Sequence, residues 1–145
     1  MNSAKSDIDQ IQSAAAHLVA AFGRHDTRAY FACFAPDATF VFHTHDTILN
    51  SRADYESLWA SWERDLGFKV ISCLSHDPQV QVYQGVGILR HIVTTHIHTN
   101  DSEQVVQERE TIVFAQNSQG EWLGVHEHLS PLGDASEAQA SEAPA

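Results

Sequence analysis

Positive charge is what this sequence has least of. Eight lysines and arginines stand against nineteen acidic residues in 145, a formal net charge of −11, and residues 1–132 alone still stand near −8. Such a surface repels phosphate backbones and anionic headgroups, so neither nucleic acid nor membrane is an expected partner. The ten histidines qualify this only below about pH 6.5, where free imidazole takes up a proton. Long apolar runs are missing too. No stretch approaches the ~20 apolar residues of a membrane helix, and Met1-Asn2-Ser3-Ala4-Lys5-Ser6-Asp7 has no apolar signal core, so a cytoplasmic protein is expected. Cysteine is confined to Cys33 and Cys73, which lack the close spacing of a disulfide framework or zinc knuckle and are expected as buried free thiols. Neither a glycine-rich phosphate loop nor a nucleophile elbow occurs, and no cofactor is expected.

What remains is an ordinary globular balance, 43% hydrophobic and 19% charged, suited to one domain with one core. Residues 1–6 are expected as a flexible N-terminus, 7–131 as the domain, and the Ala-, Ser- and Glu-rich 132–145 as a disordered acidic tail. Ser6 and Asp9 resemble a capping box, and Ile8, Ile11, Ala15, Leu18 and Phe22 follow at helical spacing until Gly23. Asp26 can cap a second helix through Phe34, which Ala35-Pro36 ends. Residues 39–43 read as a strand and 47–49 as a short extended piece. Ser51 with Asp54 opens a third helix, where Tyr55, Leu58, Trp59, Trp62 and Leu66 form a broad apolar stripe before Gly67.

Everything after that helix reads as strand. Residues 69–75 and 79–83 flank a turn or bulge at Asp77-Pro78, 88–98 are rich in β-branched residues, and Asn100-Asp101 turns the chain into 104–115. Residues 117–120 turn it again into a last strand that carries His126 and His128. Helices grouped ahead of a meander indicate an α+β class.

Several of these segments carry a resemblance. Tyr30-Phe31-Ala32-Cys33-Phe34-Ala35-Pro36-Asp37-Ala38-Thr39-Phe40, the Arg90 strand, Glu110-Thr111-Ile112-Val113-Phe114, and Gly120-Glu121-Trp122 through His126-Glu127-His128-Leu129-Ser130 are similar to the SnoaL-like family. That family belongs to the nuclear-transport-factor-like superfamily, which includes ketosteroid isomerase and the association domain of calcium/calmodulin-dependent protein kinase. The resemblance implies a cone-shaped, cystatin-like α+β barrel, in which a curved antiparallel sheet wraps around three N-terminal helices. In the association-domain relatives a pocket inside the cone is lined by a tyrosine, a histidine and arginines. Tyr30 matches the tyrosine position, Tyr55 the histidine position and Arg90 one arginine position. Ile112 and Leu129 stand at the other two, which thins the positive field and points to a small, mostly apolar organic ligand, with a carboxylate admitted by Arg90.

Strand alternation then sets the phase. With Arg90 directed into the pocket, Ile92, Thr94, His96 and His98 face it as well; with Ile112 inward, so do Glu108, Glu110 and Phe114; with Leu129 inward, so do Leu123, Val125 and Glu127. His126 and His128 would share the opposite face with Trp122, a face the family uses for dimer packing, so a homodimer is expected. The inward set suggests cofactor-free isomerisation, cyclisation or dehydration by proton transfer. Glu110 or His96 would be the base, Tyr30 or Tyr55 the donor to oxygen and Arg90 the anchor, with Trp59, Glu127, Ile112 and Leu129 completing the ligand contacts. The same residues suit a non-catalytic module that dimerises or binds an organic acid, with Arg90 neutralising Glu110 or Glu127 in a buried ion pair. The His-x-His pairs offer zinc, copper or nickel ligands, with His43, His45, His96 and His98 the best set. Nothing in their spacing shows that the strands bring them together, and no metal is expected.

Overall fold

Apolar residues at helical spacing decide the first element. Ile11, Ala15, Leu18 and Ala21 share one buried face of helix α1, Ser3–Gly23, in the computed structural model, which describes residues 3–134. Helix α2, Thr27–Phe31, starts where the Asp26 carboxylate accepts from the Ala29 N–H, and it buries Tyr30 and Phe31. It ends earlier than Pro36 requires, because strand β1, Phe34–Phe42, begins before the proline. Helix α3, Arg52–Leu66, is capped by Ser51 Oγ on the Asp54 N–H and closed by Gly67 at φ 62°, the left-handed cap that favours glycine.

The remaining strands are β2, Lys69–Tyr83, β3, Val86–His98, β4, Glu103–Gln116, and β5, Trp122–Asp134. They form one sheet in the order β1-β5-β4-β3-β2. The class is α+β, as the order of elements implies, but the sheet is mixed and does not close: β1 runs parallel to β5, while the other pairs are antiparallel. A parallel first strand follows from the intervening α3, which carries the chain across before the meander begins. Asp77-Pro78 proves to be an irregularity inside one long β2, where pairing to β3 shifts between His76 and Gln79. Strand β5 reaches Asp134, past the boundary expected at 131, and the rest of the expected tail, 135–145, lies outside the described residues.

One face of the sheet carries the helices. Helix α1 packs mainly on β2 and also meets β3 and β5, while α3 packs on β1. Between them is an aromatic core in which Trp59, 1% exposed, lies within 6.1 Å, centroid to centroid, of Phe22, Tyr30, Phe31, Tyr55 and Phe68. Gly124 lets β5 pass the Phe34 ring: a Cβ there would sit 2.7 Å from that ring's Cδ1. Phe34 is fully buried and has no room to yield. Gly124→Ala is therefore expected to cost about 1–3 kcal/mol by overpacking. Urea denaturation checks this, and a loss under a few tenths of a kcal/mol would show that the ring moves freely.

Candidate active site

The inner face of the sheet holds all four buried polar or charged residues of the described chain: His91, Thr95, Glu110 and Glu127. Strand pairing brings them together. His91 on β3 lies directly across from Glu110 on β4, so both project to the same side, and the next strand supplies Glu127. His91 Nε2 meets Glu110 Oε1 at 2.6 Å, and its Nδ1 meets Ser75 Oγ at 2.6 Å. Nε2–H donates to the carboxylate, and the serine hydroxyl, which can donate or accept, serves Nδ1 in either state of the ring. Glu110 also shares a hydrogen bond with Glu127. Tyr30 donates to Glu127 Oε1 at 3.5 Å, and its hydroxyl lies 3.0 Å from that of Tyr55. This forms a continuous chain from Ser75, which is exposed, through buried His91, Glu110, Glu127 and Tyr30 to Tyr55.

The charges along this chain are unequal. Burial, the Glu110 charge and the Glu110 hydrogen bond hold the Glu127 carboxyl well above the usual range. Burial also opposes charge on Glu110, but hydrogen bonds from Glu127 and His91, with the His91 charge, outweigh it and hold that carboxyl below the usual range. Two carboxyls in contact thus share one proton, which resides on Glu127. Burial pushes both tyrosine hydroxyls well above their usual range, so they stay neutral donors.

The chain opens toward solvent at Tyr55. A chamber of about 40 Å³, lined by Tyr30, Tyr55, Glu108, Glu110 and Glu127 among others, adjoins a cleft of about 900 Å³. Phe22, Tyr55, Glu108 and Leu129 line both. One part of the cleft wall is aromatic, with Phe42, Trp62 and Phe68 beside Tyr55, and the rest is aliphatic and polar, with Val105, Val106, Gln104 and Gln107 among it. At the junction, His43 Nε2 meets Glu108 Oε2 at 2.6 Å, and burial raises the Glu108 carboxyl above the usual range against the lowering pull of that histidine.

Several expectations require correction. Arg90 does not enter the pocket: it is exposed on the outer face, between Gln79 and Thr111. It therefore neither anchors a carboxylate nor neutralises Glu110 or Glu127; His91, its neighbour in sequence, takes the place beside Glu110. His96 shares the outer face, with its side chain 34% exposed and Nε2 3.4 Å from Glu103, away from Glu110. Both follow from register, since β3 pairs with β4 one residue out of the assumed phase. Trp122 is also misplaced by alternation alone. A bulge leaves Val125 unpaired between Gly124 and His126, so Trp122 turns inward and its indole N–H donates to Gln10 Oε1 at 2.8 Å.

The other residues fall as follows. Leu129 lines chamber and cleft. Ile112 and Trp59 are fully buried core residues that line neither, and Trp59 instead supports Tyr30 and Tyr55 from behind. His126 faces outward, its Nδ1 2.7 Å from Thr39 Oγ1, fastening β1 to β5. His43 engages Glu108, His45 engages Thr47, and His96 and His98 both meet Glu103. Among the described residues no group of three or more His, Cys, Asp or Glu side chains is placed to hold a metal ion. Both cysteines are free, and burial pushes Cys33 up to about 11 and Cys73 up to about 12, leaving little thiolate at neutral pH.

Comparison with known proteins accords with this geometry. The model of the SnoaL-like domain matches residues 11–134. A protein from Exiguobacterium sibiricum 255-15, titled as a Ca/calmodulin-dependent kinase II association domain, superposes with a TM-score of 0.74 at 16% identity, covering 89% of this chain and 95% of that one. A ketosteroid isomerase-like protein from Erwinia carotovora atroseptica gives 0.72 at 16% identity, covering 86% and 95%. An NTF2-like protein of unknown function from Pseudomonas putida KT2440 gives 0.71 at 16%, covering 87% of each chain. At such identities the likeness is one of fold. No curated protein sequence matches the chain.

Proposed function

The chain belongs to the SnoaL-like domain family, and on that footing we propose that its cleft binds a small, mostly apolar organic molecule and moves a proton on it without a cofactor. The observation that carries this reading is the buried carboxyl pair Glu110 and Glu127, joined through Tyr30 to a tyrosine at the floor of the cleft. Tyr55 presents a neutral hydroxyl to a ligand oxygen when the Tyr30 hydroxyl, whose contact with Glu127 is long at 3.5 Å, turns to donate to Tyr55 at 3.0 Å and so frees the Tyr55 O–H. Glu108, held by His43 where chamber meets cleft, is the carboxyl a ligand reaches first and serves as the base. Glu110 and His91 hold the proton on Glu127 rather than touching the ligand.

The size of the inner chamber favours a second reading. About 40 Å³ accommodates a water but not a ring, so the reacting part of any ligand stays in the outer cleft. A binding module without turnover would need nothing more. Deuterium exchange separates the two. Aryl ketones that bind, as judged by shifts of the Trp62 indole resonance, are expected to exchange their α-protons faster with the protein present. Glu108→Gln is expected to slow that exchange about a hundredfold. Ketones that bind with no accelerated exchange would leave the module reading standing.

A further inference from the structure

The cleft is lined by no lysine or arginine, and His43, already engaged with Glu108, is its one basic side chain. Its lining holds Glu103 and Glu108, and the adjoining chamber, which also has no lysine or arginine, adds Glu110 and Glu127. The one arginine expected to balance these carboxyls, Arg90, is exposed on the far side of the sheet. Phe42, Tyr55, Trp62 and Phe68 line the cleft, and aromatic rings attract cations to their faces. A ligand carboxylate would meet like charge here. An ammonium group would meet opposite charge and ring faces together.

We propose that the ligand is a small organic amine, its apolar body against Trp62 and Phe68 and its ammonium group at Glu108. This rests on the reading of the cleft as the ligand site and names the class of molecule it takes. Glu108 is suited to the role by its surroundings. The groups facing it are His43 just after β1, Tyr55 of α3, Cys73 of β2, Glu110 of its own strand and Glu127 of β5. His43 engages Oε2 of that carboxyl, and among these neighbours it is the only one able to carry positive charge. The carboxyl is 16% exposed, enough to reach from the cleft and too little to be well solvated. An ammonium arriving there replaces lost water with a charge-assisted hydrogen bond, and the ring faces strengthen the contact. Because burial and Glu110 raise this carboxyl's proton affinity, amine binding is expected to release protons in mildly acidic solution.

Phenethylamine, phenethyl alcohol and phenylacetate test the proposal, since they share a ring and differ in the charge at the end. Isothermal titration of the full chain at neutral pH is expected to rank amine over alcohol by about tenfold or more, with the acid weakest. Alcohol equal to or tighter than amine overturns the amine assignment while leaving the apolar cleft as the ligand site. The acid binding tightest overturns it outright. If all three fail to bind, the proposal falls together with the reading of the cleft. In folded Glu108→Gln the ratio of amine to alcohol affinity is expected to fall to about one; an unchanged ratio overturns the place given to Glu108. Should that variant not fold, proton release measured in two buffers of different ionisation enthalpy on the unaltered protein decides instead, and amine binding without release counts against the proposal.

Discussion

Glu110→Ala is expected to lower the stability of the fold by about 3–5 kcal/mol in urea at neutral pH, while Glu127→Gln leaves it unchanged or raises it. Two glutamates in contact thus respond oppositely, and the reason is where the shared proton sits. Glu110 is the anion. It accepts from His91 at 2.6 Å and from the Glu127 carboxyl, and alanine would strand both partners in a buried site. Glu127 is the neutral partner, and a glutamine in its place can still donate to Glu110 and accept from Tyr30. The contrast deepens with pH. The folded chain keeps on Glu127 a proton that the unfolded chain releases near the ordinary glutamate value of about 4.3. Above that value the unfolded state therefore binds fewer protons than the folded one. Rising pH then erodes stability by up to about 1.4 kcal/mol per unit until the folded carboxyl itself ionises. Glu110 contributes in the other direction: its stabilisation is present above the ordinary value and lost as pH falls through its lowered one. Urea titrations at several pH values should show Glu127→Gln gaining on the unaltered protein as pH rises. Parallel profiles, or a loss under about 1 kcal/mol in Glu110→Ala, would mean that the pair does not share a proton in this way.

Trp59→Ala is expected to cost about 3–5 kcal/mol, the range for removing a fully buried large aromatic side chain. Its indole packs at 5.0 Å from Phe68 and 5.4 Å from Tyr30, stacks on His25 at 4.9 Å, and donates through Nε1 to Thr27 Oγ1 at 3.2 Å. Five elements therefore meet through one ring: α1 by Phe22, α2 by Tyr30, α3 by its own backbone, and the loops before α2 and β2 by His25 and Phe68. The effect extends to the site, because Trp59 backs both tyrosines whose hydroxyls must stay 3.0 Å apart. Near-ultraviolet circular dichroism should lose its aromatic signal well before the helical signal falls. A variant within about 1 kcal/mol of the unaltered protein would show that the surrounding rings close the gap.

Some of the site was legible in the residues. Glu108, Glu110 and Ile112 read as one face of a strand, and so they are. Tyr30 and Tyr55 were placed by the resemblance, and the two hydroxyls do meet. His91 was missed although a signal existed: a hairpin turning between Asn100 and Asp101 pairs His98 with Glu103 and, counted back along both strands, His91 with Glu110. What hid it was the composition of β3. Its inner set, Leu89, His91 and Val93, and its outer set, Ile88, Arg90 and Ile92, are equally apolar around one basic residue, so alternation has no preferred phase.

Local chemistry, then, was sufficient for the elements: caps at Asp26, Ser51 and Gly67, apolar stripes on α1 and α3, and turns between the long strands all act within a few residues of themselves. The side of the sheet a given residue faces is another matter. It depends on which partner strand lies alongside, on one unpaired residue at Val125, and on the parallel docking of β1 against β5. Those are contacts between segments far apart in the chain, and a side-chain period of two turns each single-residue shift into a change of face. Tertiary structure alone therefore put Arg90 in solvent and His91 beside a buried carboxylate.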